Sequence, residues 1–269
     1  MDPTSDPSAD PTVWPTADRT AEPTADPTSA LAARIDRLRE ACETTPGVTS
    51  LVVYGSTTSA AAARRDAWSD LDFTVFLAPA AAADLRRTWA FLPDRDHLVL
   101  TAREGTNGGV AVYDDAMIAE FGAGEPWRVQ DPHREVLLDG GDLTFGDPDP
   151  LPDPADQVGL FLVKLAIGLG RVRRGERVAG NAHLRAYATT CLVEALRQRL
   201  APDAPRSPFD PVRRLEQALP GPAVRLADLL DADAETCARG QLDLARELLE
   251  PGWPAFPTRA ADVLTARLW

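Results

Sequence analysis

Apolar residues recur at Leu31, Ile35, Leu38 and Cys42, the three-and-four spacing of one helix face. The stretch from 31 to 43 is therefore a predicted helix, which Pro46-Gly47 breaks. The run TSLVVY then reads as a strand ending at Gly55. Ser56 opens an alanine-rich stretch read as a helix, and a loop leads through Trp68 and Ser69. From Asp70 the period changes to two. Leu71, Phe73, Val75 and Leu77 share one face of a strand, and Asp70, Asp72 and Thr74 share the other. Pro79 begins a second helix running to residue 92. HLVLTARE and GGVAVYDD read as strands, Asp114-Asp115 as a hairpin turn, MIAEFGAG as the returning strand, and EVLLDGGDLTF as a further strand and turn.

After the proline-rich DPDPLPDP the pattern is helical. Val158, Phe161, Leu162, Leu165, Leu169 and Val172 form a stripe, with Asp153-Pro154 as its start and Gly175 as its stop. Lys164, Gly168 and Arg171 make a second row, in which Gly168 is expected to leave open space. The next helix, 182–200, is expected to be more regular. Its buried side comprises Leu184, Tyr187, Ala188, Cys191, Leu192, Ala195 and Leu196. Shorter helices are predicted near 211–219, 223–230, 234–249 and 258–268. The expected class is α+β: a mixed sheet flanked by helices over 30–150, then an all-helical bundle over 151–269.

Residues 1–29 repeat Asp-Pro-Thr-like units and are read as a disordered, solubilising tail. The chain carries a formal charge of −13. Six acids against Arg19 in the first thirty residues account for −5 of it, leaving −8 for the body. Such a surface argues against a polynucleotide partner and suits a cationic small molecule better. The cysteines Cys42, Cys191 and Cys237 are far apart and form no CxxC, so neither a zinc ribbon nor a disulfide frame is indicated. No apolar run is long enough to span a membrane, and the N-terminus lacks the marks of a signal peptide. A cytoplasmic location is expected. Oligomeric state stays open.

Packing gains nothing from two carboxylates side by side on one strand face, because like charges repel. A divalent cation between Asp70 and Asp72 would reverse that cost, and Mg²⁺ is the usual ion for oxygen ligands beside phosphates. The expected helix at Ser56 offers a complementary feature. Its N-terminus would attract phosphate, Gly55 would let the backbone approach closely, and the Ser56 hydroxyl could donate. A phosphate cradle followed by an acid pair is what nucleotidyl transfer from a nucleoside triphosphate requires.

These residues resemble the nucleotidyltransferase signature: Gly55-Ser56, a spacer TTSAAAARRDAWS, then Asp70-x-Asp72. WSDLDF is similar to the aminoglycoside and lincosamide nucleotidyltransferases, and the likeness covers roughly residues 50–200. It implies transfer of AMP from ATP, with Mg²⁺, to a hydroxyl of a small molecule such as an antibiotic. It also implies a third acid on a strand beside the DxD strand, for which Glu120 is the match, as metal ligand or as base. An ordinary strand glutamate is the bland alternative. Glu176, in the Arg-Gly-Glu segment, is the second choice of base. Lys164, the single lysine beside twenty-seven arginines, matches a lysine of the family's helical half that neutralises the triphosphate. Coding bias and a solvated surface position are its alternatives. Arg171 and Arg174 carry the same suggestion more weakly. Asp114, Asp115, Asp139 and Glu176 are candidates to line a pocket for a polycation, although surface carboxylates are common in an acidic protein.

Two rival readings follow from the same residues. Arg177 and His183 fit a loose Arg-x(4–6)-His pattern of helical ribonuclease-like proteins, which act beside minimal nucleotidyltransferases in toxin–antitoxin pairs that modify a protein partner. A non-catalytic nucleotide-binding module is the other.

Overall fold

The computed structural model describes residues 27–207 and 210–269. The tail expectation for 1–26 lies outside the described residues, and residues 27–29 already belong to the first helix, α1 (Pro27–Thr44). The chain divides into two compact units between Asp147 and Pro148.

In the first unit α1 is followed by β1 (Val48–Tyr54), β2 (Leu71–Leu77), α2 (Pro79–Thr88), β3 (Leu98–Glu104), β4 (Gly108–Tyr113) and β5 (Ile118–Gly124). The short β6 (Arg128–Val129), then β7 (Arg134–Leu138) and β8 (Thr144–Phe145), complete it. Six strands form one sheet in the order β3-β4-β5-β2-β1-β7, while β6 and β8 pair separately. Only β2 and β5 run parallel within the large sheet. A parallel pair needs a long crossover, and α2 with the β3–β4 hairpin supplies it.

The period-two pattern of β2 does what it predicts. Leu71, Phe73, Val75 and Leu77 are all buried in a core with Leu31, Leu38 and Cys42 of α1 and Leu85 of α2. Burial pushes the Cys42 thiol up to about 12, with Glu43 adding to the shift. Arg34 joins α1 to the hairpin: its guanidinium pairs with Asp94 and Asp115 and lies 3.9 Å from the centroid of the Tyr113 ring. The second helix stops four residues short of expectation. Trp89 adopts a left-handed conformation (φ 50°) and sets its ring edge-on to Phe91 and Phe121. On the opposite sheet face Phe76 packs on Trp127, whose ring lies over Gly122 and Gly124, where a β-carbon would press on it at 3.3 and 3.0 Å.

The second unit is helical: α3 (Pro154–Arg173), α4 (Arg177–Ala182), a π-helical stretch His183–Ala188, α5 (Thr189–Leu200), α6 (Leu215–Ala218), α7 (Pro220–Asp231), α8 (Ala234–Leu249) and α9 (Thr258–Leu268). Asp153 caps α3 by accepting from the Ala155 amide, and Gly175 (φ 86°) ends its last turn. The predicted stripe of α3 is buried from Val158 to Leu169, with Val172 partly so.

Three expectations fail here. The helix over 182–200 is less regular than expected, because the π stretch inserts extra residue length. Thr189 Oγ1 donates to the Leu184 carbonyl, five residues back. Tyr187, inside the π stretch, lies 51% exposed rather than in the core, whereas Leu184, Ala188, Cys191, Leu192, Ala195 and Leu196 are buried as expected. Gly168 does not leave open space: a β-carbon there would meet Leu184 at 2.9 Å. The predicted 211–219 helix shrinks to α6. Arg197 of α5, itself buried, donates to the carbonyls of Pro205, Pro211 and Arg213 and so holds this connection as a loop.

Candidate metal-holding site

Three carboxylates meet at the start of β2. Asp70 precedes the strand, Asp72 is its second residue, and Glu120 stands opposite Asp72 in the parallel register with β5. One oxygen from each of Asp70, Asp72 and Glu120 lies within 4.8 Å of the other two. Both aspartates are half-buried and Glu120 is exposed. The matching alternation on β5 explains Glu120: Ala119, Phe121 and Ala123 turn to the core beside Leu71, Phe73 and Val75.

The donor set suits a hard divalent cation. All three groups offer oxygen alone, and opposite oxygens around Mg²⁺ stand about 4.2 Å apart, twice a bond of about 2.1 Å. The spread of 4.8 Å is within a small side-chain adjustment of that span. Asp70, Asp72 and Glu120 are therefore a group able to hold a metal ion.

The glycine-serine bend lies against this group. Gly55 has φ 53°, a conformation that favours glycine, and a β-carbon there would stand 3.5 Å from Asp72 Oδ2. Its amide donates to the His133 carbonyl, which ties the bend to the start of β7. Beside it Tyr54 is buried enough to push its phenol above the usual range, against an opposing hydrogen bond with Thr74.

The helix expected at Ser56 is absent. Two short 3₁₀ stretches, Gly55–Thr57 and Ser59–Arg64, take its place, separated by extended Thr58. The cause is local competition for the backbone. Arg65 donates to the carbonyls of Ser56, Thr57 and Thr58, and Thr58 Oγ1 donates to the Gly55 carbonyl. These carbonyls would otherwise accept the amides of a continuing helix. Pieces this short carry little dipole, so they do not supply the phosphate-attracting helix N-terminus expected at Ser56. The Ser56 hydroxyl lies 3.4 Å from the Asp70 carbonyl.

Thr57 and Arg65 did not emerge from the sequence. Thr57 is buried and touches the backbone on both sides of Leu71. A β-branched residue directly after Gly-Ser was the available signal, and the alanine run masked it.

The remaining candidates lie apart from the acids in sequence. Lys164, in α3, is half-buried, with Nζ 5.5 Å from the centroid of the Tyr187 ring. Arg171 approaches the His183 ring at 3.2 Å. Glu176 precedes α4 and pairs with Arg174 at 3.1 Å. All of these belong to the second unit. The acids proposed to line a polycation pocket have local partners: Asp114 with His97, Asp115 with Arg34, and Asp139 with the Gly141 amide. The Asp114 hydrogen bond raises the His97 pKa, and the same bond lowers that of Asp114.

No protein-family model and no curated protein matches the chain. Among solved structures it is similar to an aminoglycoside 6-adenyltransferase from Bacillus subtilis, at 10% identity over 90% of this chain and 92% of that one, with a TM-score of 0.35. A similarity of that size is too distant to assign a function. No helix among the described residues is long and apolar enough to cross a membrane.

Proposed function

We propose that the chain is a nucleotidyltransferase that moves AMP from ATP to a hydroxyl of a small molecule, an aminoglycoside- or lincosamide-like antibiotic being the leading class. The observation that carries this reading is the meeting of Asp70, Asp72 and Glu120 against the Gly55 bend. In the reaction the acceptor oxygen attacks the α-phosphorus. The bond from that phosphorus to the bridging oxygen breaks, and pyrophosphate leaves. Asp70 and Asp72 would hold magnesium, which supplies charge neutralisation and activation of the acceptor when bound. Glu120 is the nearest carboxylate to act as a third ligand or to take the hydroxyl proton, with Glu176 the second choice of base. The acidic chain favours a cationic acceptor over a polynucleotide.

The direct test is incubation with ATP, Mg²⁺ and a panel of aminoglycosides, lincosamides and other hydroxyl acceptors. A gain of one AMP on an acceptor, read by mass, is the expected result. No adduct on any acceptor, with ATP bound but no pyrophosphate released, would favour a binding module instead.

Lys164 is the proposed partner of the triphosphate. Replacing it by alanine should raise the apparent KM for ATP about tenfold, since a hydrogen bond to a charged group is worth about 1.5–3 kcal/mol. Its approach to the Tyr187 ring is a long one, at 5.5 Å from the centroid, so stability should barely change. An unchanged KM would return Lys164 to the surface.

A further inference from the structure

The β1–β2 ladder ends at Val53↔Phe73, because β1 turns away at Gly55. The backbone of β2 that carries the two aspartates therefore runs on past its β1 partner. Thr57 takes the vacated place. Its Oγ1 accepts from the Asp72 amide at 2.9 Å and lies 3.4 Å from the Asp70 carbonyl, to which it donates. One hydroxyl thus engages the peptide groups on both sides of Leu71. Thr57 is 1% exposed, so no water competes for these bonds. Ser56 offers a second hydroxyl to the same Asp70 carbonyl. Arg65 fixes the segment from the other side by holding three successive carbonyls.

We propose that Thr57 is a positioning residue for the metal-holding pair, its hydroxyl locking the entry of β2 so that the Asp70 and Asp72 carboxylates converge. The proposal rests on the reading that this pair holds a divalent cation. Its logic is preorganisation. Two carboxylates repel each other before the ion arrives, and a free strand end would let them separate. Outer hydrogen bonds that hold metal ligands in place typically matter ten- to a hundredfold in affinity. Thr57 reaches the backbone rather than the carboxylates, so the lower end of that range applies.

The test compares Thr57→Val, which keeps the shape and loses the hydroxyl, with Thr57→Ser, which keeps the hydroxyl. Two quantities are measured on the full chain: Mn²⁺ affinity by titration, and amide hydrogen exchange at Asp72 without metal. Thr57→Val should weaken Mn²⁺ binding about tenfold and speed exchange at Asp72, whereas Thr57→Ser should stay near the wild type in both. A merely structural threonine would not produce this split. Equal Mn²⁺ affinity in the valine and wild-type proteins overturns the proposal. Wild-type protein that binds no Mn²⁺ overturns both it and the metal reading, even if exchange at Asp72 responds. If Thr57→Val fails to fold, Thr57→Ala takes its place in both measurements, with the same result expected and the same result overturning the proposal.

Discussion

Asp70→Asn is expected to lower nucleotidyl transfer at least about a thousandfold, a loss of about 4 kcal/mol of transition-state stabilisation, while leaving the fold intact. The two halves of that expectation have separate physical sources. An amide is isosteric with the carboxylate but carries no charge, so the group loses one of its three carboxylates and grips a cation poorly. The fold does not depend on that charge. What Asp70 gives the surrounding structure is its backbone carbonyl, which Ser56 and Thr57 approach, and asparagine supplies the same carbonyl. Without metal, the substitution also removes repulsion within the acid group, so the apo protein should melt at the wild-type temperature or slightly above it. Adding Mg²⁺ should raise the wild-type Tm, because an ion that binds only the folded state stabilises it, and should do little for Asp70→Asn. Transfer assays and thermal melts with and without Mg²⁺ check all of this. An Asp70→Asn protein with full Mg²⁺-dependent activity would remove the acid pair from the chemistry. Glu120→Gln in the same assays separates its two roles: a lost ligand diminishes the rise in Tm on adding Mg²⁺, whereas a lost base leaves that rise and lowers kcat.

The acid group was legible because its signal is a sharp change of period. In β2 the apolar residues at 71, 73, 75 and 77 leave no choice about which face Asp70 and Asp72 share. Glu120 came from the resemblance, which implies a third acid on a strand beside the DxD strand, and the parallel register of β5 with β2 sets it opposite Asp72. In the second unit α8 and α9 have the predicted limits. For α8 the reason is a strong local signal: the Asp233 side chain accepts from the Glu235 and Thr236 amides.

Where the expectations failed, particular hydrogen bonds and a local irregularity of the backbone overrode propensity and period. The alanines after Ser56 favour a helix by propensity, but Arg65 and Thr58 draw off the carbonyls that such a helix would need. Propensity cannot report on a guanidinium folding back over its own loop. Tyr187 was placed in the core by a strict 3.6 period, and it falls inside a π stretch, where that period does not hold. Asp142 shows what no pattern reports: it lies in the expected turn, and Thr49 and Ser50 of β1 both donate to it. Burial alone would raise its pKa, but these bonds outweigh burial and bring it below the usual carboxylate value.

The second large effect expected is in the helical unit, where Gly180→Ala should destabilise the protein by about 2 kcal/mol. A β-carbon at Gly180 would lie 2.8 Å from the Gly168 carbonyl oxygen and 2.8 Å from the Val172 amide nitrogen. Both obstacles are backbone of α3, so no rotamer change can relieve them, and α3 and α4 must separate. Overpacking of this kind costs up to about 3 kcal/mol, and the better helix propensity of alanine returns about 1. The Tm should fall by about 4–8 °C. Gly159→Ala provides the internal contrast. It lies within α3, and a β-carbon there meets nothing within 4 Å. That substitution should stabilise by about 0.5–1 kcal/mol through helix propensity alone. Opposite signs in two thermal melts would mean that the α3–α4 contact depends on the absence of a side chain at Gly180. Equal small shifts in both would mean that the helices have room to part, and the close approach would lose its meaning as a constraint on the unit.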